Sequence, residues 1–188
     1  KNLSKNIKKS YRPDMIIEIG SNDGTFIKNF DKKIAICVEP CKNIAKLTKK
    51  KKYKTYPEYW SQKLAKKITK NKKADLIYSS NTLSHIKNLN EIFMAINIAL
   101  TRDGILILED PSLLNCIKNV AYDQFYCEHI YVFSTIALKN ILQKFGLEIF
   151  RIENIKTHGG SNRYFIKKKL NKNWKISKSV KKEISKEI

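Results

Sequence analysis

Arginine is scarce in this chain. Of 38 basic residues in 188, only Arg12, Arg102, Arg151 and Arg163 are arginine, against 17 acidic residues and a formal net charge of +21. Base reading and bidentate phosphate contacts draw on the planar guanidinium fork, so a nucleic-acid surface is the weaker explanation of that charge. Lysine, isoleucine and asparagine are abundant together, the signature of AT-rich codons. The runs Lys49 to Lys52, Lys66-Lys67, Lys72-Lys73 and Lys167 to Lys169 therefore read as solvated faces and loops. They still attract anionic molecules at long range.

Paired cysteines are missing too. No two of Cys37, Cys41, Cys116 and Cys127 are separated by two residues, which excludes a C-x-x-C metal pair. Cys37 and Cys116 lie in apolar stretches where buried free thiols are common. No apolar run approaches the roughly 20 residues that span a bilayer, and the lysine- and asparagine-rich start has no secretory h-region. A reducing cytoplasm without disulfides is the expected setting. Lys1 in place of methionine reads as a start that is missing or trimmed. No internal repeat is evident. A hydrophobic fraction of 42% is ample for one core, so the length bounds the chain to one domain, or one and a fragment.

What the chain does have is a regular alternation. Residues 1–12 form a polar helical lead-in. Then come strand 15–19, helix 24–30, strand 34–38, helix 41–50, a short strand at Tyr53 to Tyr56 and helix 58–70 after Pro57. Strand 74–79, helix 89–100 and the strand Ile105-Leu106-Ile107-Leu108 follow. Leu89, Ile92, Phe93, Ile96 and Leu100 recur at helical spacing. This rhythm implies an α/β fold with a doubly wound, mainly parallel sheet, whose ligands bind beyond the carboxyl ends of the strands. Gly20, Glu39, Ser79 to Asn81 and Glu109-Asp110 are expected there. After Pro111 a helix at 113–120, an aromatic stretch from Tyr122 to Phe133, helix 135–145, and strands 147–153 and 163–167 are expected. A basic tail with weak helical periodicity closes the chain.

The richest signal is Glu18-Ile19-Gly20-Ser21-Asn22-Asp23-Gly24, with Glu39 ending the next strand about 20 residues on. Strand, glycine turn, helix and carboxylate-tipped strand hold an adenosine-type cofactor. A dinucleotide fingerprint wants glycine two positions after Gly20, where Asn22 stands. Asp23 would lie beside phosphate charge and repel it, whereas a ligand carrying an ammonium and a sulfonium tolerates it. That points to S-adenosylmethionine, with Glu39 accepting from both ribose hydroxyls. Pro40 and Asn81 complete the expected cofactor residues, and an ordinary strand-to-helix turn is the plainer alternative for Gly20 and Gly24.

A second constellation, Tyr126-Cys127-Glu128-His129, packs three polar functional groups into four residues. In a helix Tyr126 and His129 would share a face. Histidine is the natural proton acceptor near neutral pH, and a phenol and a carboxylate can orient it. An aromatic core strip with one satisfied histidine is the alternative. His85 follows the fourth strand at the cleft edge. His158 precedes two glycines and could equally be a turn residue.

Glu18 to Gly24, Asn81 to His85, Tyr122 to His129 with Phe133-Ser134, and His158-Gly159-Gly160-Ser161-Asn162-Arg163 stand in the order found in sugar C-methyltransferases. Over roughly residues 13 to 165 the chain resembles that family, which methylates carbon 3′ of 4-keto-deoxysugar nucleotides with S-adenosylmethionine. The resemblance implies a Rossmann-like class I methyltransferase domain over 13–168, with residues 169–188 beginning a truncated C-terminal lobe. It implies that His129 is the base that forms an enolate, which then attacks the sulfonium methyl. Tyr126 and Glu128 would hold the sugar or orient the imidazole, and His85 would polarise the keto oxygen or shuttle a proton. His158, Gly159, Ser161 and Arg163 would bind substrate. Family members also carry a four-cysteine zinc-binding N-terminal domain, which this chain lacks, so a fragment of a longer gene product is expected. Methylation of oxygen or nitrogen on another small metabolite, a basic RNA-directed module and a cofactor-binding remnant without turnover are the competing readings.

Overall fold

The computed structural model describes residues 2–188, so Lys1 of the expected lead-in lies outside the described residues. In chain order the elements are α1 (Asn2–Ser10), β1 (Ile16–Ile19), β2 (Ala35–Val38), α2 (Lys42–Lys50), β3 (Lys54–Tyr56), α3 (Gln62–Ile68) and β4 (Ala74–Ser80). There follow α4 (Leu89–Ala99), β5 (Leu100–Pro111), α5 (Leu113–Lys118), α6 (Thr135–Lys144), β6 (Leu147–Ile155), β7 (Ser161–Lys168) and α7 (Lys178–Ser185).

The strands form one seven-stranded sheet in the order β3-β2-β1-β4-β5-β7-β6. All neighbours pair in parallel except β7, which is antiparallel to both β5 and β6. Ile19 pairs with Val38 on one side and Ser79 on the other, so β1, β2 and β4 end level at one edge. The inner strands are apolar at nearly every position because both faces are covered. Met15, Ile17, Ile19, Ile77 and Leu106 point into a core shared with α3, α4, α6 and α7. Ile16, Cys37, Leu76, Ile105 and Ile107 point into a second core closed by α1 and the aromatic side chains Phe30, Phe150 and Phe165. α2 lies on that second side, where Thr48 and Thr55 hydroxyls bond at 2.9 Å.

Several expectations are corrected. No α-helix spans 24–30; the segment holds a single 3-10 turn, Ile27–Asn29. Asn29 Nδ2 donates to the Phe26 carbonyl at 2.7 Å, and Phe30 leaves extended at φ −116°, ψ 158°. A short polar side chain competing for backbone carbonyls stops helix growth in this way. The expected helix 58–70 begins only at Gln62, where Ser61 Oγ accepts the Leu64 amide at 3.2 Å, and residues 57–61 stay outside it. β5 extends from the expected four residues to twelve. The Tyr126 to His129 segment is a turn rather than a helix.

α7 lies along the edge strand. Ser179 Oγ accepts the Ile152 amide at 3.0 Å, and the Ser177 amide donates to the Phe150 carbonyl at 2.8 Å. Glu183, 3% exposed, accepts from Asn154, Asn162 and Lys186. Glu187 caps the N-terminus of α6 by accepting the Thr135 and Ile136 amides at 2.7 and 2.9 Å. Among the described residues no helix is long and apolar enough to cross a membrane.

Candidate active site

A cleft of about 960 Å³ opens beyond the level ends of β1, β2 and β4. Its floor begins with Gly20, at φ +71°; a Cβ there would stand 2.2 Å from Thr82 Oγ1, so only glycine lets the β1 and β4 loops touch. Asn22 and Asn81, one in each loop and both at φ +46°, adopt left-handed backbone that asparagine tolerates, and both line the cleft. The Gly20 and Ser21 amides both donate to the Val38 carbonyl, at 2.9 and 3.1 Å, anchoring the loop to β2. Glu39 holds the rim, with one carboxylate oxygen accepting the Asn22 amide at 2.9 Å and the other the Cys41 amide at 3.0 Å. Each oxygen keeps a lone pair for a further donor.

Glu18, Ser21, Asn22, Asp23, Glu39, Pro40 and Asn81 all line the cleft with Gly20, whereas Gly24 stands behind it against Thr48. Burial pushes the Glu18 carboxyl up to about 8, despite the Ile27 amide it accepts at 3.1 Å; the charges of Asp23 and Glu39 add to the rise. Asp23 is held below its ordinary value by hydrogen bonds from Thr25, with Lys51 and Lys28 nearby. The carboxylates of Asp23 and Glu39 favour a cationic ligand and repel a diphosphate, and Glu18 joins them on releasing its proton to an arriving cation.

The chemistry of the cleft fits S-adenosylmethionine. Asn81 Oδ1 and Trp60 Nε1 are buried atoms of cleft-lining residues without a hydrogen-bond partner, and such atoms are costly unless a ligand or water meets them. Trp60 and its exposed neighbour Tyr59 were not among the residues picked from sequence, nor were Thr82 or the Phe26–Tyr78 stack, centroids 3.7 Å apart, that lines the cleft. Trp60 sits just past β3, and the rule that ligands meet strand ends is the signal that could have found it.

Two histidines meet beside the cleft, which His85 and Glu128 line and His129 and Tyr126 do not. His85 lines the cleft, and its ring lies 4.8 Å from that of His129 between centroids. The approach is enforced by Tyr131, whose amide donates to the Ser84 carbonyl at 3.2 Å and whose hydroxyl donates to the Lys87 carbonyl at 2.8 Å. His129 Nδ1 stands 2.7 Å from the Gln124 carbonyl oxygen. A carbonyl can only accept, so Nδ1 carries the proton and Nε2 of the neutral ring carries the lone pair. That lone pair faces the Tyr126 hydroxyl at 3.1 Å. Glu128 is exposed and lines the cleft. Behind His85, burial pushes Asp110 up to about 7, with the Ser84 hydroxyl and amide opposing the rise.

His158 and Gly159 form a turn outside the cleft, packed on Ala121 and Gln124. Ser161 is fully buried, its hydroxyl donating to the Thr157 carbonyl at 3.0 Å. Arg163 is engaged with Glu109 and Glu153 and does not line the cleft. Among the described residues no group of three histidine, cysteine, aspartate or glutamate side chains could hold a metal ion.

A family model described as a methyltransferase domain matches residues 1–152. The chain is 27% identical over 151 residues to the C-methyltransferase NovU of Streptomyces niveus, a match covering 79% of this chain and 36% of NovU. It thus spans about a third of the curated relative it matches. Among solved structures, an S-adenosylmethionine-dependent methyltransferase from Clostridium acetobutylicum superposes with a TM-score of 0.68 at 14% identity, covering 88% of each chain. The O-methyltransferase of a Brevibacillus brevis trans-AT PKS multienzyme, in complex with S-adenosyl-L-homocysteine, gives 0.69 at 14% identity over 98% of this chain and 76% of that one.

Proposed function

Given a chain that belongs to the methyltransferase-domain family, we propose that it is an S-adenosylmethionine-dependent methyltransferase that methylates carbon, on a nucleotide-linked 4-keto-deoxysugar. The observation carrying this reading is the His129 imidazole, with Nδ1–H tied to a main-chain carbonyl, a lone pair on Nε2, and its ring 4.8 Å from that of the cleft-lining His85. Carbon acids need a positioned base, which thiol or amine acceptors do not. The 27% identity to a C-methyltransferase points the same way.

S-adenosylmethionine, when bound, supplies an electrophilic methyl group on a sulfonium. Glu39 and Asn81 would hold its adenosyl hydroxyls and base, Trp60 Nε1–H would donate to the adenosyl end, and Glu18 with Asp23 would face its ammonium. His129 Nε2 takes the proton from the carbon beside the substrate ketone, once the Tyr126 hydroxyl yields its place. His85, one ring away, donates toward the keto oxygen and so lowers the cost of the enolate. Glu128 holds sugar hydroxyls. Residues 13–168 form the methyltransferase domain in this reading.

The test is hydrogen exchange. With a nucleotide-linked 4-keto-deoxysugar in deuterium oxide and no methyl donor, the wild type is expected to wash deuterium into the carbon beside the ketone. His129→Asn is expected to slow exchange and methylation at least about 100-fold while binding S-adenosylhomocysteine unchanged. Methyl transfer without any exchange would favour an oxygen or nitrogen acceptor, and undiminished turnover would remove His129 from the base role.

A further inference from the structure

In the His158-Gly159-Gly160 turn, Gly159 abuts the segment that leads to His129, whereas Gly160 abuts Asn115 and Asn119 at α5. Gly159 has φ +70°, and a Cβ there would stand 2.5 Å from Ala121 Cβ and 3.4 Å from Gln124 Cγ. Ala121 cannot give way cheaply, because its Cβ is bound directly to backbone whose amide donates to the Cys116 carbonyl at 2.9 Å. From the same side Asn119 Nδ2 donates to the Gly159 carbonyl at 2.7 Å. The Gln124 amide donates to the Ala121 carbonyl at 3.2 Å, and the Gln124 carbonyl is the one that receives His129 Nδ1–H.

We propose that Gly159 is a positioning residue for His129: its bare Cα lets the turn close on Ala121 and Gln124, and that contact seats the carbonyl which selects the imidazole tautomer. The inference rests on the reading of His129 as proton acceptor. Without the anchor an imidazole divides between its two tautomers, and the Nε2–H form has no lone pair where the substrate proton arrives. The H-G-G-S motif thereby serves the base rather than touching the sugar through Gly159.

The tautomer can be read without substrate, by nitrogen-15 NMR of histidine-labelled protein at a pH where the ring is neutral. Only three histidines need assigning, and His129→Asn identifies the signal. The wild type is expected to hold the Nδ1–H form. Gly159→Ala is expected to lower the ratio of Nδ1–H to Nε2–H about five- to tenfold, roughly the worth of one neutral hydrogen bond. Gly159→Ala combined with Ala121→Gly removes the colliding methyl and is expected to restore the ratio, with S-adenosylhomocysteine binding unchanged throughout. An unchanged ratio in folded Gly159→Ala, or no recovery in the folded double variant, overturns the proposal. Should Gly159→Ala fail to fold, Asn119→Ala removes only the 2.7 Å bond and is expected to shift the ratio about twofold in the same direction; no shift overturns it. A failure of the base reading looks different: hydrogen exchange would survive His129→Asn while the tautomer still answered to Gly159.

Discussion

Glu18 carries its proton to about pH 8 in the fold, well above the ordinary carboxyl value, because it is buried beside two other acids. The unfolded chain releases that proton near 4.5, so the stability it contributes is whole below that pH and is lost as pH rises through 8. Glu18→Gln cannot ionise and keeps an acceptor for the Ile27 amide. It is expected to raise unfolding stability at pH 8.5 by roughly 2 kcal/mol, read from denaturant melts. The same variant is expected to bind S-adenosylhomocysteine at least about tenfold more weakly, having lost a charge-assisted partner for the ammonium. Calorimetry at pH 7 in buffers of different ionisation heat is expected to show proton release on binding to the wild type and none to the variant. Equal affinities would mean that the ammonium lies elsewhere. Glu18, Gly20, Asn22, Glu39 and Asn81 were legible as cleft residues because strand ends and a turn define them locally. The partner that sets the His129 tautomer was not legible, since it is a main-chain carbonyl five residues away whose position depends on a turn beyond residue 157.

Secondary elements show where periodicity misleads. The expected helix 58–70 took in Trp60, whereas α3 starts two positions after it. Outside the helix, Trp60 lines the cleft, and its buried Nε1 has no hydrogen-bond partner. The chain's other tryptophan, Trp174, stacks on Phe150 at 5.6 Å and does not line the cleft. Tryptophan emission is therefore expected to change on S-adenosylhomocysteine binding, and Trp60→Phe is expected to abolish the change; a surviving signal would place the response elsewhere. β5 likewise outran its apolar centre, because Glu109 and Asp110 carry no strand pattern and are drawn into the sheet by β7, and Leu100 pairs with Ala74 across a shift in register. Its centre holds the sheet together: Leu106→Ala, at a fully buried position, is expected to cost about 3 kcal/mol in chemical denaturation. A loss under 1 kcal/mol would mean that the site collapses around the gap.

The whole molecule carries 21 excess positive charges. Two of its four arginines are engaged within the fold, Arg163 with Glu109 and Glu153, and Arg151 with Glu153 and over the Phe165 ring. The excess is thus mostly lysine on solvated faces, where salt screens it. Raising sodium chloride from 50 to 500 mM is expected to lift the melting temperature by about 2–4 °C, equivalent to about 1 kcal/mol of relieved repulsion; a flat response would mean that the lysines already sit beside adequate counter-charge. The antiparallel run of β7 was not legible in the alternation, which gave only a mainly parallel sheet, since antiparallel pairing leaves no mark on a doubly buried strand. Its presence makes β6 run with β5, so α6 descends from the cleft end and α7 climbs back to it, bringing Glu187 onto the first turn of α6. The next residue, Ile188, is 95% exposed. A fluorophore coupled at that position would ride on the seam between α7 and the first turn of α6, and its emission would report whether that seam opens.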